Sequence, residues 1–233
     1  VDASLREFLP EVTISEAGAT KFNPEEALRL TATVTEFAED LELVWRSVDP
    51  SLDFGSFTSA LLTPSSRLVR VSSASVDTGS SSAATTYTAA FQLLLAPSVL
   101  TAGASYVLEL QAYASPASAG VLLGSAAVQI VMNAPPSSGQ LSVSPLSGTA
   151  YTTVFSLDTA LWVDDAEDLP LSFGFKAYSV DPDFQLIVLK VPDELPRTSS
   201  VLPEGAEGQS RAVTCSAVAV DLFGAEASVS ASV

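Results

Sequence analysis

The chain has 233 residues, enough for one large β domain or two of ordinary size, and 47% of them are apolar against 16% charged, a balance that excludes a disordered chain. Its 27 acidic and 10 basic residues leave a formal net charge of −17, which repels phosphate backbones and anionic membrane surfaces and so argues against nucleic acid as a partner. Histidine is absent, cysteine occurs once, and no apolar run approaches the ~18 residues of a membrane-spanning helix, so Ser–His and Cys–His catalysis, an intrachain disulfide and a helical span are excluded.

In chain order, residues 27–35 set Leu28, Leu30, Ala32 and Val34 on one face at period two, the mark of a half-buried strand. After an acidic hairpin tip, residues 41–46 alternate Leu41, Leu43 and Trp45, and a tryptophan on the third strand is suited to plug the space between two sheets. Residues 57–62 read either as one helical turn or as a short strand. Residues 67–76 predict a single strand and 77–85, small and polar, a mobile loop. Residues 87–95 then place Tyr87, Ala89, Phe91, Leu93 and Leu95 inward, residues 98–114 place Tyr106, Leu108, Leu110 and Ala112 on one face, and 121–132 close the first unit.

Asn133, Pro135 and Pro136 form the junction, because two prolines break any strand ladder. The expected domains are therefore 1–133 and 134–233, with net charges of −8 and −9. In the second unit, strands are expected over 140–145, 150–157, 171–180 (Phe173 and Phe175 inward), 184–191, 211–220 and 225–233, with 192–210 as an exposed loop. Trp162 is the expected core anchor of this unit, as Trp45 is of the first. Cys215 is in phase with Val213, Ala217 and Ala219 and reads as a buried thiol. The pattern as a whole predicts an all-β chain: tandem immunoglobulin-like or fibronectin type III-like β-sandwiches, two copies of one architecture without a detectable sequence repeat.

No catalytic constellation stands out, and no glycine-rich phosphate loop is present, so no enzyme is expected. The acidic group Asp164, Asp165, Glu167 and Asp168 falls within five positions of one loop and is the candidate calcium site; Asp221, in the turn of the closing hairpin, is placed to approach one end of the unit or the other. The alternative reading is a solvated acidic loop with Asp side chains capping turns. Asp181 and Asp183 bracket a turn at the far end of the next strand. Neither asparagine, Asn23 or Asn133, lies in an N-glycosylation sequon, which leaves O-linked sugars on the many Ser and Thr residues.

The stretch Asn133-Ala134-Pro135-Pro136, Gly139 to Pro145, Gly148, Thr152 to Phe155, Trp162 and Asp168 to Phe175 resembles the receptor-for-egg-jelly region of polycystin-1-like proteins and sea urchin sperm receptors. The resemblance covers residues 133–178, and the remainder matches in architecture. It implies an extracellular array of sandwiches on the outer side of the plasma or ciliary membrane, with the Ala/Ser-rich, acidic composition suiting a green-alga flagellar protein. It also implies a membrane-anchored parent glycoprotein and, as partners, neighbouring domains of the same chain, other surface proteins or a polycystin-type channel. It brings no catalytic residues. Without an initiator methionine, and with strand-like sequence to its last residue, the chain reads as a piece of a longer protein. The function expected is a structural spacer and protein-interaction module. The alternative is a carbohydrate-binding or adhesion module stabilised by calcium, which an exposed Trp162 would favour.

Overall fold

The structure is a computed structural model that describes residues 9–15, 21–50, 52–54, 60–73, 75–77, 86–115 and 120–233. The chain divides into two compact units, Val1–Met132 and Asn133–Val233, so Asn133, read from sequence as the last residue of the first unit, belongs to the second.

In the first unit the described strands are β1 (Glu11–Ser15), β2 (Leu28–Phe37), β3 (Leu41–Ser47), β4 (Ser66–Val69), β5 (Ser75–Asp77), β6 (Thr86–Leu95), β7 (Ser105–Ala114) and β8 (Leu122–Val131). They form two four-stranded antiparallel sheets, ordered β1-β2-β6-β5 and β4-β3-β7-β8. Period-two alternation explains the layering: Leu28, Leu30, Ala32 and Val34 of β2 and Leu41, Leu43 and Trp45 of β3 are buried, while their sequence neighbours are exposed or only partly buried. Trp45, 1% exposed, lies with its ring centroid 6.5 Å from that of Phe91 at a tilt of 44°. Phe37 and Tyr87 pair at 6.1 Å.

The run 67–76 is not one strand. It pairs with β3 as β4, turns through a 3₁₀ segment at Val71–Ser73, and joins the opposite sheet beside β6 as β5. Val71 N–H donates to Asp40 Oδ1 at 2.9 Å, holding the crossover at the point where the chain leaves one sheet for the other. In the segment read either as a helical turn or as a strand, Leu61 makes an isolated antiparallel bridge to Leu95, while residues 57–59 lie outside the described residues, as do 78–85.

The second unit contains β9 (Gln140–Ser144), β10 (Val154–Ala160), β11 (Ser172–Tyr178), the one-turn helix α1 (Pro182–Gln185), β12 (Ile187–Asp193), β13 (Arg197–Val201), β14 (Thr214–Val220) and β15 (Glu226–Ser232). Its sheets are ordered β9-β10-β13 and β12-β11-β14-β15. The sheets of the two units correspond strand for strand. β1-β2-β6 answers to β9-β10-β13 and β4-β3-β7-β8 to β12-β11-β14-β15; β5 is the one described strand without a counterpart. Both orders follow the immunoglobulin-type division of strands between two sheets. The chain is thus an all-β structure of small antiparallel sheets packed as sandwiches, consistent with immunoglobulin-like and fibronectin type III-like folds.

The core of the second unit gathers Phe155, Leu157, Phe175, Ala177, Cys215 and Ala217, with Phe173 partly buried against it. The expectation of a loop over 192–210 is corrected: residues 197–201 form β13, paired along its length with β10. Its sequence, RTSSV, contains no buried apolar residue, so an edge strand held by main-chain bonds carries no hydrophobic alternation to read. The strand expected over 150–157 begins only at Val154, after a turn in which Tyr151 takes a left-handed backbone (φ 57°).

Candidate cation site

The site is built where β10 leaves its sheet. Leu161 takes a left-handed conformation (φ 62°), which turns the chain out of the strand. Trp162 follows, and its Nε1–H donates to Thr159 Oγ1 at 2.7 Å, while the Thr159 hydroxyl donates to the Gln140 carbonyl at 2.8 Å. A Cβ at Gly139 would fall 2.3 Å from the indole ring, so the glycine is required for the ring to lie against the backbone there. Trp162 is partly buried and stands outside the core cluster, which corrects its expected role as core anchor: in this unit Phe175 and Leu157, both 0% exposed, fill that place.

Reciprocal main-chain hydrogen bonds of 2.9 Å between Val163 and Ser137 carry the chain on to Asp164. A 3₁₀ turn, Ala166–Asp168, then folds Asp168 inward, and Leu222 N–H donates to the Asp168 carbonyl at 2.9 Å, tying this loop to the β14–β15 turn. Asp221 occupies that turn. Its Oδ1 accepts from Phe223 N–H at 2.8 Å and Ala225 N–H at 2.9 Å, and its Oδ2 accepts from Asn133 Nδ2 at 2.7 Å.

Carboxylate oxygens of Asp164, Asp168 and Asp221 thereby all lie within 4.8 Å of one another. Asp168 is 0% exposed and Asp221 6%, and Asn133 is fully buried beside them. Asp164 Oδ1 accepts from Asp165 N–H at 2.9 Å, while its Oδ2 is buried and finds no hydrogen-bond partner among the described residues. Burial holds the Asp164 carboxyl above the usual carboxylate range; the Asp165 N–H opposes this, and the charges of Asp168, Asp221 and Asp165 add to the rise.

Of the four acidic residues singled out in sequence, the fold therefore brings two together and leaves Asp165 and Glu167 exposed outside the cluster. Asp221, flagged only as a residue that could approach, completes the group. Asn133 carried no sequence signal as a site residue; it lies 88 positions from Asp221 and reads only as part of the junction. Of the other junction residues, Pro136 is buried and Pro135 exposed. Asp181 lies elsewhere and caps α1 by accepting from Asp183 N–H at 2.9 Å. Three hard carboxylate oxygens, two of the groups buried, are the donor type that can in principle coordinate a divalent cation.

Two sandwiches of one strand plan, with an acidic cluster at a loop end and no described helix long and apolar enough to cross a membrane, define a β-sandwich module. The REJ domain family model matches residues 4–233, and the chain belongs to that family. The match spans both units, well beyond the 133–178 stretch that carried the resemblance. REJ domains are the type found in polycystin-1-like surface proteins, and these β-sandwich domains are non-catalytic structural and adhesion modules. They typically occur within larger, membrane-anchored multidomain proteins.

No curated protein matches the chain in sequence. Among solved structures, red sea bream transglutaminase is similar at 10% identity, over 97% of this chain and 31% of that one, with a TM-score of 0.30. The C-terminal domain of the Streptococcus pyogenes antigen I/II-family protein AspA is similar at 9% identity, over 96% and 98% of the two chains, with a TM-score of 0.36. Salmonella α2-macroglobulin is similar at 10% identity, over 97% of this chain and 16% of that one, at 0.28.

Proposed function

We propose that this REJ module is a calcium-stabilised structural spacer and interaction module, carried on the outer face of the plasma or ciliary membrane by a large polycystin-1-like protein. The observation that carries the calcium part is the convergence of Asp164, Asp168 and Asp221 within 4.8 Å, two of them buried. Three carboxylates at that spacing repel one another unless a proton or a cation sits among them. A divalent cation at extracellular concentration would remove the repulsion and pin the 164–168 loop to the β14–β15 turn. The partners in this reading are neighbouring domains of the same chain, other surface proteins or a polycystin-type channel, and the family match supports an extracellular setting.

The test is calcium titration by calorimetry together with thermal unfolding, with Asp164→Asn as the control. Asp164 is the right position because it is only partly buried, whereas Asp221 also caps its turn and Asp168 is fully buried. A saturable site is expected, stabilising the fold by ~2.7 kcal/mol at about 100-fold excess over its Kd and weakened or lost in Asp164→Asn. No heat and no change in unfolding up to millimolar calcium would remove calcium from the proposal and leave a plain spacer.

A further inference from the structure

We propose that a groove beside Trp162 binds the arginine or lysine side chain of a partner polypeptide; this deepens the interaction-module reading and rests on it. The groove, of about 410 Å³, runs between the end of β10, the entry to β11 and the β12–β13 turn, and is lined by Leu161, Trp162, Leu169, Phe173, Glu194 and Pro196 among others. Leu161 and Leu169, 63% and 49% exposed, give the groove an apolar wall on either side of the tryptophan in the chain.

What the groove offers is decided by what its polar groups already do. The Trp162 indole N–H is spent on Thr159, and the buried Thr159 hydroxyl donates to Gln140, so neither donor is left to recognise a sugar. Gly139 backs the indole against the main chain, which fixes the ring as a rigid surface. The remaining charged group of the lining is the Glu194 carboxylate, and no cation is among the lining residues. Aromatic and aliphatic walls with one carboxylate suit a long aliphatic stem ending in a cation. The stem lies along the leucines and Pro196, and the cation meets the ring face and Glu194. A glycan would need several free donors and acceptors. A second copy of this chain, itself at −17, would be repelled, so the occupant is a different, basic polypeptide.

The probe is acetyl-leucyl-arginyl-leucine amide, with its citrulline counterpart as an uncharged isostere, titrated into the ¹⁵N-labelled chain. The two tryptophans, Trp45 buried in the first unit and Trp162 at the groove, give separate indole N–H signals. The expected result is a saturable shift of the Trp162 signal with Trp45 unmoved. Binding should weaken roughly 5-fold both with citrulline and in Glu194→Gln, as for a partly exposed ion pair and cation–π contact. Titration in EDTA and again in calcium separates this site from the carboxylate cluster, since Glu194 is not part of that cluster. The proposal is overturned by no saturable shift up to the solubility of the peptide, or by equal binding of the citrulline peptide. It is equally overturned if cellohexaose moves the Trp162 signal in preference to the peptide, or if the chain self-associates through this face.

Discussion

Cys215 is 0% exposed, and burial pushes its thiol up to about 11, so the reactive thiolate is scarce at neutral pH. The native chain should therefore resist a thiol reagent at pH 8 and react with one equivalent only on unfolding, a contrast that mass spectrometry reads directly. Trp45 gives a second prediction at this scale. Its indole N–H is buried with no hydrogen-bond partner among the described residues. Trp45→Ala empties the centre of the first core and should cost about 3–5 kcal/mol. Trp45→Phe loses packing but also removes an unsatisfied donor whose burial costs about 1–3 kcal/mol, so it should be clearly milder. Denaturant unfolding of the two variants ranks them. Asp164 adds a pH dependence. Its folded-state pKa lies above the ordinary value of 3.8, so the folded chain holds this proton more tightly than the unfolded chain does. Stability from this group is present below 3.8 and lost as pH rises through the raised folded value. In EDTA, Asp164→Asn should flatten that part of the stability–pH curve, measured by urea unfolding across the window.

At the scale of the element, β14 is the tightest strand of the second unit. Cys215, Ser216, Ala217, Val218 and Ala219 are all buried, and the strand pairs with β11 on one side and β15 on the other. Small side chains there let Phe175 and Leu157 share the same core. Ala217→Leu should overpack that space and cost about 1–3 kcal/mol, seen as a lower denaturant midpoint at unchanged slope. β13 behaves oppositely. It lies at a sheet edge and buries no apolar side chain, so Ser199→Ala, at an exposed position, should change stability by less than about 0.5 kcal/mol.

For the whole molecule, the charge of −17 sets the solution behaviour. Self-repulsion of that size is relieved by any salt, but only an ion that sits among the three carboxylates should act beyond screening. Unfolding temperatures compared in sodium and calcium chloride at matched ionic strength isolate this excess. It should be positive for the native chain and vanish in Asp164→Asn. Equal temperatures in the two salts would mean that the acidic surface is screened and nothing more.

The all-β architecture was legible in the chain because alternation of apolar and polar residues is a local signal: each of β2, β3, β6 and β7 announces its buried face within ten residues. The junction prolines and the buried thiol were legible for the same reason. Strands without an inward apolar pattern were not. β13 is held by main-chain bonds to β10, and the 67–76 run, continuous in sequence, divides between two sheets because each half pairs with a different strand. Trp162 reads like Trp45 in composition, yet a left-handed Leu161 and the bare backbone of Gly139 hold it at the surface rather than in the core. The carboxylate cluster was half legible. Four neighbouring carboxylates marked the loop, but which of them turn inward depends on a 3₁₀ turn and on the hydrogen bond from Leu222 to Asp168. Asn133 and Asp221 meet because the closing hairpin returns the chain, 88 residues later, to where the unit began. Periodicity writes the strands into the sequence; only their pairing decides which distant polar groups share one buried space.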